Sequence, residues 1–229
     1  MNKGKLYVVA TPIGNLQDIT LRAIDTLKSV AFILAEDTRE SKKLLDKYGI
    51  KTQLISYRDQ NHTKIINKII EKLDTSLNLA LVSDNGTPLI SDPGYKLVRE
   101  LRERDYEVIA IPGPSALTSA LSIGGLPTDK FTFLGFLPKS NVKRRALLKG
   151  VLELKNTLII YESPKRLFRL LELIREMDST LFVSALRDMT KARENSYSGG
   201  VDNVMEKLRE DGLEENPYGE WVVLVSQKI

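Results

Sequence analysis

The first ~110 residues repeat one pattern four times, a short apolar run, a break rich in Gly, Pro or charge, then a stretch with helical spacing, and close on a fifth apolar run. The runs are Lys5–Ala10, Ala31–Ala35, Gln53–Tyr57, Leu77–Val82 and Val108–Ile111. Each is too short for a helix and nearly continuous in apolar residues, as strands buried on both faces are. Between them, Leu21, Ile24 and Leu27 follow helical spacing after a Thr20 N-cap, and Ile65, Ile66, Ile69, Ile70 and Leu73 form an amphipathic stripe. Strands alternating with helices across short loops predict a parallel sheet wrapped by helices on both faces.

The second half keeps a less regular beat. Phe131–Phe136 and Thr157–Tyr161 read as strands and Leu167–Met177 as a helix. Three more apolar runs or alternations, near Leu181–Leu186, Glu194–Ser198 and Trp221–Ser226, surround the helix Val204–Leu208. An excess of strands near the end predicts a mixed sheet. The expected organisation is α/β with two domains, 1–117 and 118–229, joined near Pro112–Leu121. A chain of 229 residues is long enough for either its own core or two small ones.

Composition removes several chemistries. There is no cysteine, so no disulfide framework, thiolate nucleophile or Cys-ligated metal. The single histidine, His62, makes a Ser-His-Asp triad or His-rich metal site a poor expectation, and it reads as a surface residue at a helix start. No metal is expected: Asp84 and Asp92 are better read as caps for backbone amides. No apolar run approaches the ~20 residues of a membrane span, and the N-terminus lacks a secretory pattern, so a cytoplasmic location is expected. The net charge is +4, with +2 on each side of Leu117, so any basic surface must be local.

In an open parallel sheet, ligands bind beyond the carboxyl ends of the strands. Those ends carry the least regular sequence: Thr11-Pro12-Ile13-Gly14-Asn15, Glu36-Asp37-Thr38-Arg39, Ser83 through Gly94, and Pro112-Gly113-Pro114-Ser115. Each alone is ordinary turn chemistry; four on one edge suggest a ligand approached closely by backbone. Neither G-x-x-x-x-G-K-[ST] nor G-x-G-x-x-G is present, so a triphosphate cradle or a standard dinucleotide site is not expected.

These four motifs, with Asp18-Ile19-Thr20, Gly135-Phe136-Leu137-Pro138, Tyr161-Glu162-Ser163-Pro164 and Thr190-Lys191, resemble the tetrapyrrole-methylase superfamily of S-adenosylmethionine (SAM) methyltransferases. Within it they are similar to the branch that methylates ribose 2′-hydroxyls of small-subunit ribosomal RNA. The matches run in order over nearly the whole chain, and the twelve-residue Ser83–Gly94 loop is the most specific. The resemblance implies a two-domain class III SAM methyltransferase with the donor in the cleft between domains. It also implies a homodimer that acts on a cytidine of 16S ribosomal RNA or of the small ribosomal subunit. By motif position, Pro12 and Gly14 would approach SAM. Ser83, Asp84, Asn85, Gly86, Thr87, Ile90 and Ser91 would hold its methionine part, and Ser115 and Ala116 would line the adenosine side. Tyr161 and Leu186 would contribute from the second domain. The sequence departs from the branch at Asn85, Lys165, Asp188 and Tyr218, where Ala, His, Glu and Lys are usual.

Methyl transfer to oxygen is an in-line displacement, assisted when a base removes the hydroxyl proton. Asp37, at the end of the second run, is the first candidate base, and its alternative reading is a helix N-cap or a partner for Arg39. Asp84 is the second candidate. RNA requires local cations. Lys139, Lys143, Arg144 and Arg145 lie in a segment without acids from Phe131 to Leu152, and Arg39, Lys165, Arg166 and Lys191 add others. No aromatic ladder for stacking bases is evident. Two other functions stay open: methylation of a tetrapyrrole or another anionic small molecule, and RNA binding without catalysis.

Overall fold

Side chains in the strands of the first half alternate between two cores. In the computed structural model, which describes residues 3–227, five short strands form a wholly parallel sheet. They are β1 (Leu6–Val9), β2 (Phe32–Ala35), β3 (Gln53–Ser56), β4 (Leu79–Val82) and β5 (Val108–Ile111), in the order β3-β2-β4-β1-β5. Val9, Ile33, Ala35, Ala80 and Val82 face one side, where they pack with Ala23 and Leu27 of α1 (Leu21–Ser29) and Leu44 and Leu45 of α2 (Thr38–Lys47). Leu6, Leu34, Leu79 and Leu81 face the other. There they meet Ile66, Ile69 and Leu73 of α3 (His62–Asp74) and Leu97 and Leu101 of α4 (Tyr95–Glu103). Each fully buried aliphatic side chain contributes ~1.5–3 kcal/mol, so both faces stabilise the sheet.

Thr20 caps α1, its hydroxyl accepting the Ala23 amide at 3.1 Å. Leu21, at the first position of that helix, points to solvent instead of joining the stripe. His62 is also corrected. It is buried, because His62, Ile66, Ile69 and Leu73 share the inner face of α3. Its Nδ1 lies 3.0 Å from the Tyr57 hydroxyl and its Nε2 2.8 Å from Glu100 Oε2.

The chain divides into two units, residues 1–115 and 116–229. The expected division after Leu117 falls two residues inside α5 (Ala116–Ile123), a helix in the stretch read as a connection. The second unit's sheet is mixed. It contains β6 (Phe131–Phe136), β7 (Thr157–Glu162), β8 (Phe182–Arg187), β9 (Asn195–Gly200) and β10 (Trp221–Ser226), in the order β6-β7-β10-β8-β9. Only β6 and β7 run parallel; the other pairs are antiparallel. One face builds the core with α6 (Asn141–Leu152), α7 (Pro164–Met177) and α8 (Val201–Glu210). α5 packs on β10 so tightly that a Cβ on Gly124 would come within 2.2 Å of Leu224 Cδ1.

Candidate functional site

β1 and β4 are neighbours, yet the chain leaves them in opposite directions. α1 follows β1 on one face and α4 follows β4 on the other. That reversal is the place where an open parallel sheet leaves a crevice at its carboxyl edge. The loops after β1 and β4 meet there and are joined. The Thr11 amide donates to Gly86 O at 2.8 Å, and the Gly86 amide returns a bond to Thr11 O at 3.1 Å. The Thr11 hydroxyl reaches Ser83 O and Gly86 O, both at 3.3 Å. Thr87 Oγ1 donates to Pro114 O at 3.0 Å, which brings in the loop after β5. The Asp37 amide donates to Asp84 Oδ1 at 2.9 Å, which brings in the loop after β2.

A cavity of about 230 Å³ opens beside this junction, lined in part by Pro12, Gly14, Ser83, Asp84 and Asn85. The structure thus gathers five of the expected donor residues, with Gly86 and Thr87 in the same stitched loops. Ile90 and Ser91 are at the exposed end of the long loop, and Ser115 ends the first unit. Ala116 opens α5 in the second unit.

The loop after β4 holds an unusual backbone. Within nine residues, Gly86, Leu89, Ser91 and Gly94 take φ values of 80°, 73°, 66° and 127°. For Leu and Ser this is a sparsely populated region that costs ~1–3 kcal/mol and persists only where the surroundings impose it. Here Leu89 packs into the α3–α4 core, and a Cβ on Gly94 would sit 2.8 Å from Leu81 Cδ2. Asp59, after β3, accepts the Gly94 amide at 3.1 Å and anchors the loop's far end. Sequence reasoning did not single out Asp59; Asp at a loop start was its only signal.

The edge carboxylates differ in basicity. Asp37 caps α2, accepting the Arg39 amide at 2.9 Å, and it grips the Arg39 guanidinium at 2.6 and 3.0 Å. Those contacts hold its carboxyl well below the usual carboxylate range, which makes it a weak proton acceptor. Both alternative readings of Asp37 hold in the structure. Asp84 is engaged as the acceptor of the Asp37 amide. Burial pushes Asp92 up to about 6 and, with Asp84 nearby, raises Glu36 as well. Among the described residues, no group of three or more His, Cys, Asp or Glu could hold a metal ion.

In the second unit, Phe136, Tyr161, Val222 and Leu186 form one cross-strand row near the carboxyl ends of β6, β7 and β8. Tyr161 and Leu186, the two donor residues expected there, therefore face the same side of one sheet. A register shift between Phe133 and Gly135, with Gly135 at φ 58°, inserts a residue and turns Phe136 to that side. Phe133 and Phe136 stack edge-on to Tyr161, with centroids at 5.0 and 5.8 Å, and Phe136 is 58% exposed. This aromatic cluster was missed because a bulge cannot be read from spacing.

The expected RNA-facing cations separate into three groups. Lys139, Lys143 and Lys165 are exposed. Arg39 pairs with Asp37, Arg145 with Glu176, Arg166 with Glu162 at 2.6 Å, and Lys191 with Glu220 at 2.8 Å. Arg144 is corrected outright. It is 1% exposed, with Nε donating to Pro138 O at 3.2 Å, because it shares a helical stripe with Leu148 and Val151 inside the core. A groove of about 550 Å³ between α6 and α7 collects Arg145, Lys149 and Arg169, interleaved with Glu172 and Glu176. Of the four departures, Asn85 borders the cavity and Lys165 is exposed in the first turn of α7. Asp188 and Tyr218 lie together at the end of β8.

Comparison with known proteins agrees with this architecture. Residues 5–204 match the family described as Tetrapyrrole (Corrin/Porphyrin) Methylases. A Thermotoga maritima protein named Ribosomal RNA small subunit methyltransferase I is 44% identical over 225 residues, covering 98% of this chain and 99% of its own length. A Rickettsia prowazekii protein of the same name is 42% identical over 227 residues, covering 99% and 80%. Among solved structures, uroporphyrin-III-C-methyltransferase from Thermus thermophilus superposes with a TM-score of 0.65 at 19% identity, covering 98% of this chain and 95% of that one. Diphthine synthase gives 0.72 at 13%, covering 98% and 90%. These two likenesses speak to the fold alone. Among the described residues, no helix is long and apolar enough to cross a membrane.

Proposed function

The chain belongs to the tetrapyrrole methylase family of SAM-dependent methyltransferases, and from that premise we propose that it methylates the ribose 2′-hydroxyl of a cytidine in small-subunit ribosomal RNA. The observation that carries the RNA assignment is identity above 40%, over nearly the whole chain, to relatives named for that RNA. The 2′-hydroxyl and the cytidine rest on the motifs that resemble the ribose-methylating branch.

The residues of the first unit's edge suit the donor. SAM supplies an electrophilic methyl group on a sulfonium. Pro12, Gly14, Ser83, Asp84 and Asn85 line a small cavity whose charged groups are one cation, Lys43, and the acids Glu40 and Asp84, a mixture that suits a zwitterionic amino-acid end. We assign the transfer chiefly to alignment, with the acceptor oxygen, methyl carbon and sulfur brought into line. Asp37 is read as the residue that fixes Arg39, not as the base, since its carboxylate is already held in two contacts. A homodimer in the cytoplasm completes the proposal.

The test uses isotope-labelled SAM with small ribosomal subunits that lack the modification. The labelled product is digested to nucleosides. Label on a cytidine ribose supports the proposal; label on a base, or only on an added porphyrinoid, overturns it.

A further inference from the structure

The last residue of β8, Arg187, is a buried cation that forms no ion pair among the described residues. It is 6% exposed. Among the described residues its side chain makes no hydrogen bond or ion pair, and its Nε is sealed from solvent without an acceptor. Guanidinium carries five N–H donors in a planar fork and does not lose its proton in proteins, so neutralisation is no escape. The acid in the same cross-strand row, Glu162, gives Oε1 to Arg166 at 2.6 Å and to the Ser163 amide; its Oε2 is buried, but it makes no hydrogen bond or ion pair with Arg187. Nearby Asp188 accepts the Glu220 amide at 3.0 Å, and the Glu220 carboxylate pairs with Lys191.

The surroundings hold this group in place by other means. Its guanidinium carbon lies 4.5 Å from the Tyr218 ring centroid and 5.7 Å from that of Trp221. Gly219, at φ 87°, lies against its stem; a Cβ there would be 2.8 Å from Arg187 Cγ. Asp188 and Thr190 just beyond it take φ values of 50° and 66°, so the turn after β8 is fixed in a strained form. Aromatic faces orient a guanidinium without using its in-plane donors, and with Nε sealed it is the two terminal nitrogens that are left to match the paired oxygens of an oxyanion.

We propose that Arg187, braced by Tyr218 and Gly219 at the end of β8, binds a backbone phosphate of the RNA substrate. The inference rests on the RNA reading above. Phosphate and carboxylate share the geometry that the fork recognises, so the donor's carboxylate is the competing source.

The test compares the full-length protein with Arg187→Gln. Binding to an unmodified small-subunit ribosomal RNA transcript is measured from 50 to 300 mM salt, and SAM affinity by calorimetry. The variant is expected to bind the transcript about tenfold more weakly at low salt. The slope of log K against log salt should fall by about 0.7–0.9, the loss of one phosphate contact. SAM affinity should be unchanged. An unaltered RNA affinity and slope overturns the proposal, and so does weakened SAM binding with intact RNA binding. If Arg187→Gln does not fold, Tyr218→Leu replaces it. Tyr218 is partly exposed, and losing its ring should weaken RNA binding about threefold, while wild-type binding by that variant overturns the proposal. A wild-type protein that transfers no methyl group to RNA sinks the RNA reading itself; one that transfers it while Arg187→Gln binds RNA normally sinks only the phosphate site.

Discussion

Asp37 and Arg39, two residues apart, close a small ring: the carboxylate accepts Arg39 Nε at 3.0 Å and a terminal nitrogen at 2.6 Å while also capping α2, the helix that starts at Thr38. A carboxylate so held does not titrate near neutrality. Asp37→Asn is therefore expected to leave the shape of the pH–rate profile unchanged between pH 6 and 9. Turnover at saturating substrate should stay within about threefold of wild type, since proton abstraction by a base is typically worth ~10²–10⁴-fold. Loss of one limb of the profile would restore Asp37 as the base.

Gly94 sits where a side chain has no room, at φ 127° and against Leu81 and Leu89. Gly94→Ala should destabilise the protein by ~1–3 kcal/mol and weaken SAM binding, because the displaced loop is the one that borders the cavity. Gly49→Ala is the control. It shares a positive φ, at 62°, but nothing lies within 4 Å of its added Cβ. It should cost only ~1 kcal/mol and spare SAM binding. Equal effects of the two on calorimetric SAM affinity would contradict this assignment.

Neighbours in sequence, Arg144 and Arg145 should behave oppositely. Arg144→Ala removes a core side chain and the donor to Pro138 O, so a loss of ~2–4 kcal/mol is expected, read as a lower melting temperature. The folded protein should bind RNA with the wild-type salt slope. Arg145→Glu with Lys149→Glu, on the α6–α7 groove, should reduce RNA affinity and that slope while the melting temperature moves little.

Asp92 gives a pH signature. Its folded pKa of about 6 lies above the ordinary carboxylate value of ~3.9. Between these values the folded protein binds more protons than the unfolded chain, so this group makes stability fall as pH rises from about 4 to 6. Asp92→Asn should remove that component. Denaturant titrations of both proteins at pH 4 and pH 6.5 should show the variant gaining on wild type at the higher pH.

Much of this was legible in the sequence, for a physical reason. A parallel sheet covered on both sides makes its strands continuously apolar, and its loops must then carry the irregular residues, so Lys5–Ala10 and Ser83–Gly94 announced themselves. Helix phase was legible but overlooked at two positions. His62 and Arg144 read as surface residues by type, yet each falls on the stripe of its buried neighbours, Ile66 and Leu148. α5 was hidden by the Pro112-Gly113-Pro114 punctuation before it and by carrying no charged residue, only Thr118, Ser119 and Ser122 on its polar side. The orientation of Phe136 and the isolation of Arg187 were not legible. One depends on a single inserted residue, and the other on which acids are already engaged elsewhere.

The reciprocal amide bonds between Thr11 and Gly86 tie together segments that are 75 positions apart in the chain. Neither segment can then lengthen by a residue without dragging the other out of step. Natural variation at this rim should consequently take the form of exchanged side chains at constant spacing, with insertions and deletions displaced to turns on the opposite edge of the sheet.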